Sequence, residues 1–367
     1  MGKRLKAAVI GCGGAGVTNH IPWYAENPEV ELVGVVDAKA SAVQHCARKY
    51  GVRAYNSLTE MLDKEEPDMV SVATPGHLHR EHTITCLNHN CHVLCEKPMA
   101  PTLEECQEMI DAAGENDRIL GIVSDRRFDV GYEKAREIIV SGAIGKPLFI
   151  RVHWIANCVG AWSKGYRVRL ETGGGTFQDC GAHYIDICRW WLGSEIETVE
   201  GMIDICYPEV LEVEDQAVAL LRFKNGVSGM IETSWVGPKG YRANGIHQEI
   251  HDNWIYGTEG TIRVLGNREP AGIDLWDKKT GEWRMIPVPC VVQFSRYRKM
   301  IDEFVACVQK GEAFPPSGED GKKVMEVVLG LYQASSLEKK VSLPLGESPD
   351  ITKIFTELRE KSLQRGK

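Results

Sequence analysis

The beginning of the chain constrains its fold more than any other stretch. The apolar run Leu5–Ile10 leads directly into Gly11-Cys12-Gly13-Gly14-Ala15-Gly16, which matches the pattern G-x-G-x-x-G, and residues 17–26 then have the composition of a helix. A short apolar run before such a turn indicates a buried parallel strand. The glycines serve a tight turn, close approach of a pyrophosphate to the backbone, and close packing of the helix on the strand. The pattern therefore predicts the first βαβ unit of a dinucleotide-binding fold.

A second apolar run, Val30–Val36, ends in Asp37 and extends this prediction. The free N–H groups and the positive dipole end of the first helix suit phosphates. An acid at the end of the second strand accepts hydrogen bonds from ribose hydroxyls and repels a 2′-phosphate, so NAD is favoured over NADP. The alternative interpretation is an aspartate that only caps its strand. The expected cofactor contacts in this region are Gly11, Gly13, Gly14, Ala15, Gly16 and Asp37.

Strands and helices alternate early in the chain and then give way to successive strands. The alternation indicates a parallel, doubly wound α/β sheet. Beyond Pro147 the apolar segments follow one another with few helices, and Lys224-Asn225-Gly226 has the composition of a hairpin turn. We therefore expect an α/β Rossmann domain at 1–125, an α+β domain with an open, mainly antiparallel sheet at 126–345, and a C-terminal helix or tail at 346–367.

Composition argues against several classes of function. A net charge of −8 disfavours nucleic acid as a partner, because phosphate binding needs a basic surface. No apolar stretch approaches the length of a membrane span, and the start of the chain does not have the pattern of a signal peptide, so we expect no membrane partner and a cytoplasmic location. The 12 cysteines include no C-x-x-C pair and are interpreted as reduced, buried thiols rather than as metal ligands.

A charged corner at a strand end is a second candidate for site chemistry. The apolar run 91–95 stops at Glu96-Lys97-Pro98. Ligands of doubly wound sheets bind outside the carboxyl ends of the strands, so Lys97 is expected to face a ligand. From this segment alone, a solvated surface lysine is the alternative.

A third motif follows Gly173-Gly174-Gly175, where residues 176–192 have the pattern of a buried helix. Asp179, His183 and Asp186 are spaced i, i+4 and i+7 and should share one helix face. Burying such groups costs several kcal/mol unless they are paired or hydrogen-bonded. The stripe is therefore either a structural polar network or the wall of an active site, and the pattern alone does not decide between them.

Together these motifs resemble the Gfo/Idh/MocA oxidoreductase family over nearly the whole chain. The resemblance rests on the glycine motif, Thr74-Pro75 with His79 and Glu81, Glu96-Lys97-Pro98, the three glycines with Asp179, Gly181, His183 and Asp186, and Tyr256-Gly257-Thr258-Glu259-Gly260. It implies NAD as cofactor, and it implies sheet domains that pack face to face in dimers, tetramers or higher oligomers. It also implies a cis peptide bond between Lys97 and Pro98.

The resemblance assigns roles to single residues. Lys97 would be the active-site lysine, His183 the acid or base, and Asp179 its neighbour. Further cofactor contacts would be Thr74, Pro75, His79, Glu96, Lys97 and Arg127. The sequence departs from the family before Arg127-Phe128, where relatives often have Asn or Gln and this chain has Asp125-Arg126.

Substrate contacts are expected where this chain has least in common with the family. The segment 162–171 is rich in charged and aromatic residues and matches no family pattern. Aromatic faces and hydrogen-bond donors suit a polyhydroxylated ring, although several of the tryptophans have an alternative as core or interface residues. The candidate substrate contacts are Asn157, Trp162, Tyr166, Arg167, Asp179 and His183.

The implied activity is NAD-dependent oxidation of a secondary hydroxyl of a sugar, glycoside or cyclitol to a ketone, with carbon 3 of a glucoside as one candidate. Such a reaction needs a hydride acceptor, a base, and positive charge near the developing alkoxide. We expect Lys97, Asp179 and His183 to converge, with either Lys97 or His183 as first proton acceptor. The alternatives are an NAD-dependent glycosidase that works by oxidation and elimination, and a non-catalytic sugar or dinucleotide sensor.

Self-association is a further expectation. Val218, Leu220, Met230 and Ile231 lie on predicted strands whose outer face is too apolar for solvent. We therefore expect a homo-oligomer in which this face is covered by a second copy of the chain.

Overall fold

The computed structural model describes residues 4–159, 165–237, 242–243, 246–247, 250–265, 272–289 and 295–365. The chain divides into two compact units. Unit 1 comprises Met1–Phe128 and Val292–Lys322, and unit 2 comprises Asp129–Val291 and Lys323–Lys367. This division differs from the expected domains in three respects: the first segment of unit 1 ends at Phe128 rather than at residue 125, residues 292–322 return to unit 1, and residues 346–367 belong to unit 2.

Unit 1 contains a six-stranded sheet in the order β3-β2-β1-β4-β5-β6. All neighbouring strands in it are parallel, which confirms the predicted doubly wound sheet. The direction of the strand order reverses between β1 and β4, and ligands of such sheets bind at this switch point. The strands are β1 Leu5–Ile10, β2 Val30–Val36, β3 Arg53–Tyr55, β4 Met69–Val72, β5 His92–Cys95 and β6 Leu120–Ile122.

Local sequence signals mark the ends of several helices. Ser57 and Thr102 cap the N-termini of α3 and α5 by accepting hydrogen bonds from the backbone three residues on. Gly51 and Gly193 end α2 and α7 in the left-handed conformation. The helices are α1 Ile21–Glu26, α2 Ala40–Tyr50, α3 Leu58–Glu65, α4 His79–Asn88, α5 Leu103–Glu115, α6 Val130–Val140, α7 Ala182–Leu192, α8 Ser295–Lys310, α9 Gly318–Leu337 and α10 Ile351–Arg365.

Helix α8 explains why residues 292–322 belong to unit 1. Its buried residues include Tyr297, Met300, Ile301 and Phe304, which recur at the spacing of one helix face. They lie in the same hydrophobic cluster as residues of β1, β2 and β4. The core of the Rossmann unit is therefore completed by a helix from much later in the chain.

Unit 2 contains a nine-stranded sheet in the order β16-β15-β14-β13-β7-β10-β9-β8-β17. Only the β7–β10 pair within it is parallel, so the described sheet is mainly antiparallel, as predicted. Its strands are β7 Pro147–Ile155, β8 Ile196–Asp204, β9 Gln216–Phe223, β10 Ser228–Ser234, β13 Ile250–Gly257, β14 Gly260–Leu265, β15 Gly272–Asp277, β16 Glu282–Pro287 and β17 Val341–Ser342, while β11 Arg242–Ala243 and β12 Ile246–His247 pair separately.

The two faces of this sheet differ, and one expectation about them was wrong. Met230 pairs with Leu220 across β10 and β9, and Leu220 is 49% exposed. The neighbouring Ile231 pairs with Ala219, and both are fully buried. Since successive side chains of a strand point to opposite faces, Ile231 belongs to the core face rather than to the outer one.

Candidate functional site

The glycine turn of unit 1 has the geometry that its pattern predicts. Gly11 has φ +100°, and a Cβ atom there would lie 2.4 Å from the carbonyl oxygen of Ala73 at the end of β4. A Cβ atom at Gly16 would lie 1.8 Å from the carbonyl oxygen of Gly11, so the helix packs directly on the turn. At Gly13 and Gly14 an added Cβ atom would meet no heavy atom within 4 Å. The turn therefore leaves its second and third glycines open to a pyrophosphate.

Asp37 is tied to this turn through both carboxylate oxygens. Oδ2 accepts a hydrogen bond from Cys12 N at 2.7 Å, and Oδ1 accepts one from Lys39 N at 2.7 Å. Each carboxylate oxygen has a second lone pair, so these bonds leave acceptor capacity for ribose hydroxyls. The aspartate thus stabilises the loop and also fits the predicted adenosine end of NAD.

A buried polar network behind the turn was not anticipated from the sequence. His20 lies between Ser71, whose Oγ is 3.0 Å from Nδ1, and Glu96, whose Oε1 is 3.1 Å from Nε2. The hydroxyl of Tyr24 is 2.9 Å from the same Ser71 Oγ. Burial acts to raise the pKa of Glu96, but its hydrogen bond and charge interaction with His20 outweigh that effect and lower the pKa. A histidine inside a helix next to a glycine motif gives no pattern that points to a partner 76 residues away.

Glu96 in turn supports the corner that carries Lys97. Oε2 of Glu96 accepts a hydrogen bond from Lys97 N at 3.2 Å, and the peptide bond between Lys97 and Pro98 is cis, as predicted. The Lys97 side chain is half-buried at the carboxyl end of β5, whereas Glu96 is buried.

His79 joins this corner to the end of the neighbouring strand. Nε2 lies 2.7 Å from the carbonyl oxygen of Thr74, and Nδ1 lies 2.9 Å from that of Pro98. Burial lowers the pKa of His79, although the two carbonyl groups act in the opposite direction. Since both ring nitrogens face the backbone, His79 fixes the two corners relative to each other. Thr74 and Pro75 are half-buried at the end of β4.

The region after β6 is held by ion pairs. Asp125 is buried and pairs with Arg296 of α8. Arg127, 9% exposed, pairs with Asp320 at 3.4 Å. Arg127, which the family resemblance places at the cofactor, therefore also forms an ion pair with Asp320 of unit 1.

In unit 2 the predicted catalytic segment is not one regular helix. Phe177–Gly181 forms a π-helical turn, and α7 begins at Ala182. Asp179 lies in the wider turn and His183 in the α-helix. Four residues in a π-helical turn cover a smaller angle than in an α-helix, so the two side chains do not share one helix face in the way that the sequence spacing predicted. Asp186 is buried, and its Oδ1 lies 3.8 Å from Nη1 of Arg189. The guanidinium of Arg189 also pairs with Glu195. The structural-network interpretation therefore applies to Asp186.

The structure brings Asp179 together with Arg167, a pairing that sequence spacing did not predict. Arg167 Nε donates to Asp179 Oδ2 at 3.0 Å. The glycines make this contact possible, because Gly175 N donates to the carbonyl oxygen of Arg167 and a Cβ atom at Gly174 would lie 2.0 Å from that same oxygen. Arg167 is 35% exposed and Asp179 is 12% exposed in their side chains. His183 is half-buried.

The other expected substrate contacts divide into described and undescribed residues. Asn157 donates from Nδ2 to the carbonyl oxygen of Gly237 at 3.0 Å. Trp162 lies outside the described residues, and so does the side chain of Tyr166. Trp154 and Trp235 are buried in the core, which agrees with the packing interpretation of these tryptophans.

The described part of the chain, residues 4–365 with its gaps, lacks both a cluster of metal ligands and a membrane-spanning helix. No group of three or more His, Cys, Asp or Glu side chains in that part is arranged to hold a metal ion. None of the described helices is both long and apolar enough to cross a membrane.

Comparisons with known proteins agree with this geometry. A family model described as oxidoreductase family, NAD-binding Rossmann fold, matches residues 5–123, and one described as GFO/IDH/MocA C-terminal domain matches residues 132–263. D-glucoside 3-dehydrogenase of Escherichia coli is 28% identical over 355 residues, covering 92% of this chain and 97% of the relative. Myo-inositol 2-dehydrogenase of Thermotoga maritima is 29% identical over 347 residues, covering 94% and 99% respectively.

Solved structures show the same fold. Levoglucosan dehydrogenase in complex with NADH superposes with a TM-score of 0.84 at 23% identity, covering 93% of this chain and 99% of that one. The glycine turn, Asp37, the Glu96-Lys97-Pro98 corner and the two matched family models lead to the same conclusion. The chain belongs to the Gfo/Idh/MocA oxidoreductase family and carries the NAD-binding Rossmann domain of that family.

Proposed function

We propose that this protein is an NAD-dependent dehydrogenase that oxidises a secondary ring hydroxyl of a sugar, glycoside or cyclitol to a ketone. The observation that carries the proposal is the open glycine turn beside Asp37, in a parallel sheet that also carries Lys97 just after the carboxyl end of β5. The names of the relatives support the substrate class, since they are dehydrogenases of a glucoside and of inositols. A glucoside oxidised at carbon 3 is the first substrate to test.

The proposed cofactor contacts follow the geometry of unit 1. Gly11, Gly13, Gly14, Ala15 and Gly16 form the turn for the pyrophosphate, and Asp37 meets the adenosine ribose. Thr74, Pro75 and Glu96 line the remaining strand ends, while His79 and Arg127 act through the contacts described above. Bound NAD supplies the hydride acceptor for the reaction.

The proposed catalytic groups are Lys97, Asp179 and His183. His183 suits the role of base near neutral pH, because its imidazole can take the proton of the substrate hydroxyl. The Lys97 ammonium stabilises negative charge on the substrate oxygen as that proton leaves. Asp179 is oriented by Arg167 at 3.0 Å and positions the substrate hydroxyl. Arg167 and Asn157, with Trp162 and Tyr166, are the proposed substrate contacts.

We also propose a homo-oligomer and a cytoplasmic location. Met202 and Leu220, which are 61% and 49% exposed, lie on strands β8 and β9 with their large apolar side chains uncovered. Cys86, Cys91, Cys95 and Cys106 are buried thiols, and burial raises the pKa of each, which suits a protein that keeps its cysteines reduced.

A substrate panel tests the proposal. Purified protein is incubated with NAD and with sugars, methyl glycosides and inositols, NADH is followed by absorbance, and products are identified by mass spectrometry and NMR. We expect NADH to form in proportion to a ketone product. Release of an aglycone without net NADH would favour the oxidation–elimination glycosidase. Binding of sugar and NAD without turnover of any panel member would favour the sensor.

A further inference from the structure

A buried carboxyl group lies beneath the first turn of the segment that carries Asp179 and His183. Glu214 is fully buried and lies two residues before the start of strand β9. Its Oε1 accepts hydrogen bonds from Phe177 N at 2.8 Å and from the hydroxyl of Tyr332 in α9 at 2.9 Å. Its main-chain oxygen accepts a third hydrogen bond, from Thr176 N at 3.0 Å.

The same carboxyl group explains one of the glycines before this segment. Gly175 has φ +114°, and a Cβ atom there would lie 2.2 Å from Oε2 of Glu214. The carbonyl oxygen of Gly175 accepts the hydrogen bond of Asp179 N at 2.9 Å. A short chain of contacts therefore runs from Glu214 through the backbone of the first turn to Asp179.

The environment of Glu214 is unfavourable for a negative charge. Burial raises its pKa to about 8, and the hydrogen bonds from Phe177 and Tyr332 only partly oppose that effect. Among the described residues, Oε2 has no hydrogen-bond partner. The titratable groups that act on Glu214 are Tyr332 from α9 and Asp215, the next residue along the chain. The raised pKa favours the neutral carboxyl group near pH 7, and we expect Glu214 to ionise in weakly alkaline solution.

We propose that Glu214 is a positioning residue, which holds the first turn of the catalytic segment so that Asp179 and His183 keep the orientation needed for proton transfer. This inference rests on the catalytic roles proposed above. When the group ionises, a negative charge appears at the N-terminal end of the segment, where it interacts with the helix dipole and with the N–H group of Phe177. The charge on Glu214 then changes the position of the turn and the orientation of Asp179 and His183, although Glu214 is not one of the proposed substrate or cofactor contacts.

Glu214→Gln separates positioning from mere filling of space. The amide oxygen can still accept from Phe177 N and Tyr332 Oη, but the side chain no longer ionises. In the wild type we expect kcat to change near pH 8, where Glu214 ionises. In Glu214→Gln we expect kcat at pH 7 to stay within about threefold of wild type and the change near pH 8 to be absent. Glu214→Ala removes the acceptor itself, and we expect kcat to fall about 10- to 100-fold, as for a modest misplacement of catalytic groups. The dissociation constant of NAD should stay unchanged in both variants.

Asp215→Asn is the matched control. Asp215 is also buried, but its carboxyl group accepts from Cys206 N and Tyr207 N rather than from the catalytic segment. Asp215 acts to raise the pKa of Glu214, so we expect Asp215→Asn to keep the wild-type kcat at pH 7 and to keep the inflection, displaced to lower pH. If Glu214→Gln keeps the inflection near pH 8, or if Asp215→Asn removes it as well, the proposal is overturned. If Glu214→Ala does not fold, the Glu214→Gln comparison still decides.

A measurement without substrate distinguishes failure of this inference from failure of the proposed activity. The ring signal of His183, assigned by loss in His183→Gln, is followed by NMR of histidine-labelled protein between pH 5 and pH 9.5. We expect a second inflection near pH 8 in the wild type that is absent in Glu214→Gln. Identical titration curves in the two proteins would refute the inference even if the enzyme oxidises sugars. The expected difference would support it even if no panel substrate turns over.

Discussion

At the scale of single residues, one side chain can stabilise the fold and also belong to the proposed site. Asp37 accepts hydrogen bonds from the backbone of Cys12 and Lys39 and leaves lone pairs for the proposed ribose contact. His79 connects two strand ends through its ring. The sequence predicted that both residues matter, because each follows or begins a recognisable motif. It could not predict their partners, because Asp37 bonds to backbone N–H groups and His79 to backbone carbonyl groups, which every kind of residue supplies, except that proline has no N–H.

Replacement of Asp37 tests the proposed cofactor preference. In Asp37→Ala the ribose loses its acceptor, a 2′-phosphate is no longer repelled, and the loop loses two backbone contacts. We expect the ratio of kcat/KM for NAD to that for NADP to fall by about tenfold or more, since hydrogen bonds to charged groups contribute roughly 1.5–3 kcal/mol each. Steady-state kinetics with both cofactors provide the measurement. A wild-type protein that prefers NADP would contradict the assignment.

Replacement of the proposed catalytic groups gives a second test. We expect Lys97→Ala and His183→Ala each to lower kcat by about 100-fold or more, because each removes an acid–base or charge-stabilising group. The affinity for NAD, measured by calorimetry, should change far less, since the glycine turn and Asp37 are untouched. Asp186→Asn serves as control, because Asp186 pairs with Arg189 instead. If kcat falls equally in Lys97→Ala, His183→Ala and Asp186→Asn, His183 belongs to the structural network rather than to the catalytic groups.

At the scale of elements, two glycine-rich turns determine the positions of the proposed cofactor-binding and catalytic segments. In the glycine turn after β1 the backbone approaches other backbone closely at Gly11 and Gly16. In the glycine run before the π-helical turn Phe177–Gly181 it approaches backbone at Gly174 and the side chain of Glu214 at Gly175. The glycine turn itself was predictable, because its pattern fixes a known sequence of strand, turn and helix. The segments after both groups of glycines were predicted as ordinary helices, but each begins with a π-helical turn, at Gly16–His20 and at Phe177–Gly181. A period of 3.6 residues does not reveal the extra residue that widens such a turn.

Two alanine substitutions separate the roles of the glycines in the first turn. The Cβ atom of Gly13→Ala meets no heavy atom within 4 Å, so we expect the protein to fold with a nearly unchanged Tm but to bind NAD at least about tenfold more weakly. The Cβ atom of Gly16→Ala would lie 1.8 Å from a carbonyl oxygen, so we expect a lower Tm even without cofactor. Thermal unfolding and calorimetry check both. Tight NAD binding by Gly13→Ala would contradict the proposed pyrophosphate position.

The buried carboxyl group of Glu214 predicts a pH dependence of stability. Its pKa in the folded protein is about 8, above the value of roughly 4.3 in an unfolded chain. Between these values the folded state binds the proton and the unfolded state does not, so the contribution is full below about pH 4 and is lost as the pH rises to 8. The loss is on the order of a few kcal/mol. Urea unfolding at pH 6 and pH 8.5 should show it, and Glu214→Gln should show a smaller difference. Equal pH dependence in both proteins would contradict it.

At the scale of the whole molecule, the fold classes of both units were predictable, but the path of the chain between them was not. Alternating strands and helices predicted the parallel sheet, and successive strands predicted the antiparallel one. The face of α8 made of Met300, Ile301 and Phe304 shows in the sequence as helical periodicity. Periodicity indicates that a face is buried, but not against which sheet, so the return of residues 292–322 to unit 1 could not be foreseen.

The uncovered face of the unit 2 sheet predicts self-association. Met202 and Leu220 are exposed there, and Met230 pairs with Leu220. We expect a mass greater than that of a monomer by analytical ultracentrifugation at micromolar concentration, and a shift towards monomer for Leu220→Glu. Val140→Glu is the control, because Val140 is 69% exposed at the end of α6 and lies outside the sheet. A monomeric wild type would rule the prediction out.

The return of α8 to unit 1 has a consequence for how the protein is made. The six strands of the Rossmann sheet are translated before residue 129, but Met300, Ile301 and Phe304, which lie in their core, are translated only after eight of the nine described strands of the unit 2 sheet. On the ribosome, the early sheet must therefore wait with part of its apolar surface exposed while the other unit emerges. Chaperone protection during that interval, rather than the final stability, would then limit the yield of active protein in a cell.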